Sequence, residues 1–237
     1  MCGGLGVSLS RNKSDEWQMI GDRVTDEKAG EVAASLRGYV MAGGASSRFG
    51  SDKALATLGG QTMLERICGL VREVTGGVSV VASLSSYTGV EARMVRDRWP
   101  GEGPLGGIIT ALEDARSGVP RTKNCLIVSC DMPFLTAEWL QYLSAFATHS
   151  AAQIVVPRST QGLEPLCACW CAGAAEALHG LFHNGVRKVT EVFKHTRTEI
   201  LDEAHWKRFD SAGRLFWNMN TPQDYKEALR VFAEEHR

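Results

Sequence analysis

Gly38 to Lys53 reads GYVMAGGASSRFGSDK, a short apolar run that breaks into a loop with glycines at 43, 44 and 50 and ends on an arginine and a lysine. Tyr39 to Ala42 has the length and composition of a buried strand. Gly43 and Gly44 let the main chain turn sharply and approach a ligand with no Cβ in the way, and successive N–H groups in such a turn form a concave anion site. Arg48 can fork onto phosphate oxygens, and Lys53 can set a compact positive charge beside them. A glycine pair alone marks a turn of any kind. The full GGxSxRxGxDK spacing asks for a specific loop.

The segments that follow place this loop in a sheet. Thr62 to Val74 carries apolar residues at 63, 64, 67, 70, 71 and 74, the stripe of an amphipathic helix, with Thr62 and Glu65 as a capping box and Gly76–Gly77 as its stop. Val78 to Ala82 is a short apolar strand. Strand, helix, strand in that order predicts a right-handed parallel unit, with the glycine loop at the carboxyl end of its strand, where open parallel sheets bind ligands.

Two further strand ends point the same way. Met94 and Val95 form a brief strand before Asp97, and GEGPLGGIITALEDA opens a helix at Pro104 with glycines at 103, 106 and 107. The N–H groups at that helix start can meet an anion, or the glycines serve close packing. Cys125 to Ser129 is a continuous apolar run, the mark of a central strand covered on both faces, and Asp131 stands at its tip before Pro133. A carboxylate there either caps the turn or faces the crevice as a metal ligand.

Further on, Thr136 caps a helix to His149. Ile154–Pro157 and Leu166–Trp170 read as strands around a polar hairpin, Arg158 to Gly162. Helices are expected over Gly173–Phe182 and Val186–His195, a strand over Glu199–Leu201, and a charged surface excursion over Asp202–Arg214. A last helix starts at Thr221 and Pro222. Asn218 and Asn220, two apart, face the same side of an extended segment, either to reach a ligand or to shape a turn.

Composition narrows the class. With 237 residues, 26 Lys+Arg against 27 Asp+Glu and a formal net charge of −1, the chain suits one large α/β domain, and no basic excess points to nucleic acid. Its apolar runs are too short to cross a bilayer and its first residues lack a secretory pattern, so a cytoplasmic protein is expected. Residues 1–36 are polar and weakly periodic, a flexible extension before a single domain over 37–237. The seven cysteines form no paired CxxC set. Cys167, Cys169 and Cys171 alternate, and all seven read as reduced thiols without a catalytic role.

The first strand is followed by neither GxGxxG nor a GK[ST] ending, and no GxSxG elbow appears. Cations and main-chain donors at one strand end and a metal-type carboxylate at another suit transfer of a phosphorus group, where positioning and charge neutralisation carry most of the catalysis.

MAGGASSRFGSDKAL, GPLGGIITAL, SCDMPFL, EPLCACW, GVRKVTEVF and NMNTPQDY, in that order, resemble the successive motifs of the molybdenum cofactor guanylyltransferases, the MobA family, over residues 37–232. The resemblance implies the nucleotide-diphospho-sugar transferase fold, a Rossmann-like three-layer α/β/α sandwich with a mostly parallel sheet. It also implies transfer of GMP from GTP to the terminal phosphate of molybdopterin with Mg²⁺, yielding molybdopterin guanine dinucleotide and pyrophosphate, with the insertion machinery or apo-molybdoenzymes as recipients. Carried over residue by residue, it assigns the nucleotide loop to Met41, Ala42, Gly43 and Gly44, and phosphate contacts to Arg48 and Lys53. Asp97 falls in the nucleotide pocket, Asp131 on nucleotide and Mg²⁺, and Gly103 and Gly107 in the second loop. Arg187 falls near the acceptor, and Asn218 and Asn220 near the acceptor or metal. One departure stands out: the family's asparagine after the strand Val78–Val81 is replaced by Ala82–Ser83. The alternatives are a cytidylyltransferase or another nucleotidyltransferase of this type, or a non-catalytic nucleotide-binding module. The Gly43–Gly44 pair favours guanine through the room that a missing methyl leaves.

Overall fold

The computed structural model describes residues 36–43, 52–83, 87, 89–118 and 122–235. The expected N-terminal extension, Gly44 and Arg48 lie outside them. Strand β1 (Leu36–Met41) is followed by a 3₁₀ turn at Lys53–Leu55 and a small hairpin, β2 (Thr57–Leu58) and β3 (Gln61–Thr62). Gly59 and Gly60, both at positive φ, make its two-residue turn. Helix α1 (Met63–Thr75) begins on the Thr62–Glu65 capping box and ends on Gly76 in the left-handed region, as the sequence predicts.

Next come β4 (Val78–Ala82), β5 (Arg93–Arg96), α2 (Pro104–Ser117), β6 (Asn124–Ser129), α3 (Ala137–His149), β7 (Ile154–Ser159), β8 (Gly162–Leu163) and β9 (Cys167–Cys171). The chain closes with α4 (Ala175–His183), α5 (Val189–Val192), β10 (Thr198–Leu201), α6 (Glu203–Trp206) and α7 (Pro222–Glu235). The main sheet has the order β10-β7-β9-β6-β1-β4-β5, with β8 paired to β7. Strands β6, β1, β4 and β5 are parallel neighbours. β9 runs antiparallel to both β6 and β7.

Alternation along β6 divides the core. Leu126 and Val128 join the cluster with α1, α3 and Ala228 of α7, while Cys125 and Ile127 join the cluster with α2, α4 and α5. A strand buried on both faces must be apolar at every position, which is why CLIVS has no polar alternation. The result is the expected α/β/α layering. On β9 the same period puts Cys167 and Cys169 on one face and Ala168 and Trp170 on the other. Burial pushes the Cys167 thiol up to about 12, so it packs as an inert hydrophobe.

One expectation is corrected. The helix over Val186–His195 shrinks to the single turn Val189–Val192. Gly185 is at positive φ and Lys188 is extended, so the helix cannot start before Val189. Asp202–Arg214 is a surface excursion as expected, exposed or half-buried except at two anchors. Trp206 is buried and donates to Arg158 O at 2.9 Å, and buried Asp210 accepts from the N–H groups of Arg214 and Leu215.

Trp139 of α3 is fully buried, touches the rings of Tyr142, Phe209 and Phe216, and donates to Cys167 Sγ at 3.4 Å. Trp139→Ala is expected to lower stability by about 3–5 kcal/mol in urea unfolding; a loss below about 1 kcal/mol would show that this layer does not hold the sheet.

Candidate active site

The register β1–β4 ends at Met41↔Val81 and β1–β6 at Met41↔Ser129, so these strand tips lie level at one edge. Cys130 N donates to Met41 O at 3.2 Å, which extends the ladder one step and sets Asp131 beside the chain leaving β1. Ala42 N donates to Val81 O, and Asp97 N to Ala82 O. The turns after β1, β5 and β6 therefore open onto a common crevice.

Gly43 makes its turn at φ 88°, a region costing a side-chain-bearing residue on the order of 1 kcal/mol. A Cβ there would stand 3.4 Å from Ser83 Oγ and 3.9 Å from Tyr87 Oη. Conformation is thus the first reason for glycine at 43.

Lys53 opens its 3₁₀ turn, and its position is fixed from behind. Asp52 Oδ1 accepts from Ala54 N at 3.0 Å, while Oδ2 accepts from the Tyr87 hydroxyl at 2.7 Å. Burial, then the bond to Asp52, raises the Tyr87 pKa and keeps the phenol protonated as a donor. In front, Lys53 Nζ donates to Asn220 Oδ1 at 2.8 Å and lies 3.8 Å from Asp131 Oδ2. Both charged side chains are mostly shielded, at 17% and 19% exposed.

Asp131 joins the C-terminal segment through its main chain, its carbonyl accepting from Met219 N at 2.8 Å. Its Oδ1 is buried with no hydrogen-bond partner among the described residues, an arrangement that calls for a ligand. Among the described residues no group of three or more His, Cys, Asp or Glu could hold a metal. A hard carboxylate with one uncommitted oxygen fits Mg²⁺, which is often held by one or two carboxylates together with substrate phosphates and water.

Asn220 is held by a second capping box at the head of α7. Thr221 Oγ1 accepts from Asp224 N at 3.1 Å, and Asp224 Oδ2 accepts from Asn220 N at 2.8 Å and Thr221 N at 2.7 Å. Partial burial opposes ionisation of Asp224, but those main-chain and hydroxyl donors, with Lys53 nearby, outweigh it and hold the carboxyl below the usual range.

The other expected residues fall nearby. Asp97 Oδ1 accepts from Trp99 N at 3.0 Å and Thr110 Oγ1 at 3.3 Å, which ties the tip of β5 to α2. Gly103 caps α2 at φ 88°, whereas Gly107 is where the Met41 side chain packs, since a Cβ would meet Met41 Cε at 2.3 Å. Arg187 is turned to the protein. It donates to Glu102 Oε2 at 2.7 Å and to the carbonyls of Phe182 and Val186, lies 4.0 Å over the Phe182 ring, and borders the Gly103 turn through its carbonyl. The structure thus brings Lys53, Asp131 and Asn220 together and sets Arg187 apart from them. Asn218 Nδ2 donates to Phe216 O at 3.2 Å.

Two site groups carry no expectation from sequence. Tyr87 reaches Asp52 across 35 positions, with no local signal to reveal it. Glu164, the first residue of EPLCACW, is buried at 7% exposure. Burial raises its pKa and the Asp131 charge adds to that, while Ser159 and Asn218 donate to it and oppose the rise.

Residues 38–199 match the family described as the MobA-like NTP transferase domain. A probable molybdenum cofactor guanylyltransferase of Pelotomaculum thermopropionicum is 33% identical over 201 residues, 84% of this chain and 94% of that protein. The molybdopterin-guanine dinucleotide biosynthesis protein A of Archaeoglobus fulgidus shares the fold with a TM-score of 0.72 at 24% identity, over 84% of this chain and 99% of that one. Rv0371c of Mycobacterium tuberculosis, solved in complex with manganese, has a TM-score of 0.54 at 16% identity, over 83% and 97%.

Asp224→Ala should lower stability by about 1 kcal/mol at pH 7. The folded pKa is depressed, so the wild-type contribution is present above the unfolded value of about 3.9 and is lost as the pH falls through the lower folded one. Denaturant midpoints of the two proteins should therefore differ at pH 7 and converge as the pH falls below about 4; a gap that widens on acidification contradicts the cap.

Proposed function

The chain belongs to the MobA-like NTP transferase family, and from that premise we propose that it transfers GMP from GTP to the terminal phosphate of molybdopterin, releasing pyrophosphate. The observation that carries the reading is the Lys53 ammonium set between Asn220 Oδ1 and Asp131 Oδ2, with Asp131 Oδ1 left uncommitted. The cytoplasm is the proposed site of the reaction, and the insertion machinery or an apo-molybdoenzyme receives the product.

No protein nucleophile is needed. A phosphate monoester has a second pKa of about 6, so the acceptor is mostly dianionic at neutral pH. Its oxygen forms the new bond to the α-phosphorus of GTP as the bond from that phosphorus to the β-phosphate bridging oxygen breaks, and pyrophosphate departs with the electron pair. The difficulty is repulsion between two anions. Asp131 holds Mg²⁺, which when bound neutralises triphosphate charge and stabilises the leaving group. Lys53 adds a fixed positive charge, Asn220 orients its ammonium, and Arg48 orients the triphosphate. Gly43 and Asp97 line the nucleotide half, Gly103 and Gly107 shape the second loop, and Arg187 fixes that loop through Glu102 on the acceptor side.

Lys53→Ala and Asp131→Asn should each cut pyrophosphate release with GTP and molybdopterin by about 10²–10³-fold. Wild-type rates in both would remove the assignment, a preference for CTP would replace guanylyl by cytidylyl transfer, and GTP binding without turnover would leave a silent module. Gly43→Ala should weaken GTP binding by roughly tenfold through backbone strain and its approach to Ser83, measured by titration calorimetry; unchanged affinity would mean that the turn is not part of the nucleotide site.

A further inference from the structure

Asp52 carries more than its turn needs. As the N-cap of Lys53–Leu55 it accepts from Ala54 N through Oδ1, and a serine or threonine oxygen serves a cap as well. A carboxylate next in sequence to Lys53 also sets a negative charge near the place where phosphates are to bind, and like charges repel. What a hydroxyl cap would lack is the second oxygen. That atom, Oδ2, accepts from the Tyr87 hydroxyl at 2.7 Å.

Tyr87 stands in the connection between β4 and β5, and its half-buried ring packs against the core cluster that holds α1. Its hydroxyl also approaches the other flank of the phosphate-binding sequence, since a Cβ on Gly43 would stand 3.9 Å from Oη. The turn after β1, the connection after β4 and the turn that carries Lys53 therefore meet at one phenol oxygen. Burial, then the bond to Asp52, keeps the proton on that oxygen, so the bond runs from phenol to carboxylate.

A hydrogen bond to an ionised group is among the stronger kinds. This one anchors the residue before Lys53 from behind, while Asn220 and Asp131 meet the ammonium in front. A lysine has a flexible four-carbon stem, and its charge is aimed only when the main chain at its base is fixed.

We propose that Tyr87 is a positioning residue for the nucleotide half of the site: by holding Asp52 Oδ2 beside the Gly43 turn, its hydroxyl sets the base of Lys53 so that the ammonium meets the nucleotide phosphates already in place. This rests on the guanylyl-transfer reading and adds to it a residue that touches no substrate and acts through Asp52 and Lys53.

The test titrates GTP with Mg²⁺ calorimetrically into the full chain and into Tyr87→Phe, each alone and combined with Asp52→Ala or Lys53→Ala. Tyr87→Phe keeps the ring and removes only the hydroxyl, and Asp52→Ala removes its acceptor. Tyr87→Phe is expected to weaken GTP by about fivefold in the otherwise native chain and to have no further effect once Asp52→Ala or Lys53→Ala is present. In turnover, kcat/KM for GTP should fall with the affinity, while KM for molybdopterin at saturating GTP stays within about twofold of wild type. Unchanged GTP affinity in Tyr87→Phe overturns the proposal. So does a loss that persists in the Asp52→Ala background, which would make the hydroxyl a direct nucleotide contact, or in the Lys53→Ala background, which would take the lysine out of its route. An equal rise in KM for molybdopterin overturns it as well, because a general loosening of the fold would move both halves. Failure of the guanylyl reading shows separately, as a wild type that prefers CTP; the same cycle run with CTP then decides on Tyr87. A wild type that binds neither nucleotide overturns both.

Discussion

The pairing of β1 with β6, from Leu36↔Asn124 to Met41↔Ser129, is the constraint on which the site depends. Main-chain hydrogen bonds fix register in whole residues. The extra rung from Cys130 N to Met41 O carries that register past the end of both strands. It brings the carboxylate of Asp131 and the turn at Gly43 out at the same level, one strand apart. A slip of one residue would face Asp131 into the helix layer and put Cys130 at the crevice.

Around that fixed edge the charged groups are held by short local devices. Asp52 caps the turn that carries Lys53 and is itself held by Tyr87. Thr221 and Asp224 cap the helix that carries Asn220. The Asn218 amide donates to the Phe216 carbonyl. Each device orders one side chain in the free protein, which reduces the entropy lost when two anionic ligands are brought together.

Much of this architecture is legible in the sequence, because the deciding signals are local. The Thr62–Glu65 box, Gly76 and Thr136 mark helix ends, and CLIVS marks a strand covered on both faces. What the sequence does not show is set by distance. Alternation in LCACWCAG tells which residues share a face, but not that β9 runs antiparallel to β6. The charged stretch 202–214 hides two anchors, Trp206 and Asp210, among residues of surface type. In the site, Lys53, Asp131 and Asn220 are recognisable by type and motif. Glu164 is not, because its burial and its bond to Ser159 come from the tertiary fold, and no spacing rule predicts those.

Lys53 and Asn220 are separated by 167 positions, and that interval imposes an order on assembly. A chain emerging from the ribosome exposes Lys53 early and Asp131 midway, while the amide that orients the ammonium arrives only with α7. Synthesis runs from the N-terminus, so every strand of the sheet is made before the group that completes its edge. The reactive geometry is therefore the final part to close, and a chain arrested before Asn220 contains most of the fold with its cation left unaimed. Arrival of that helix turns the crevice from a shape into a catalyst.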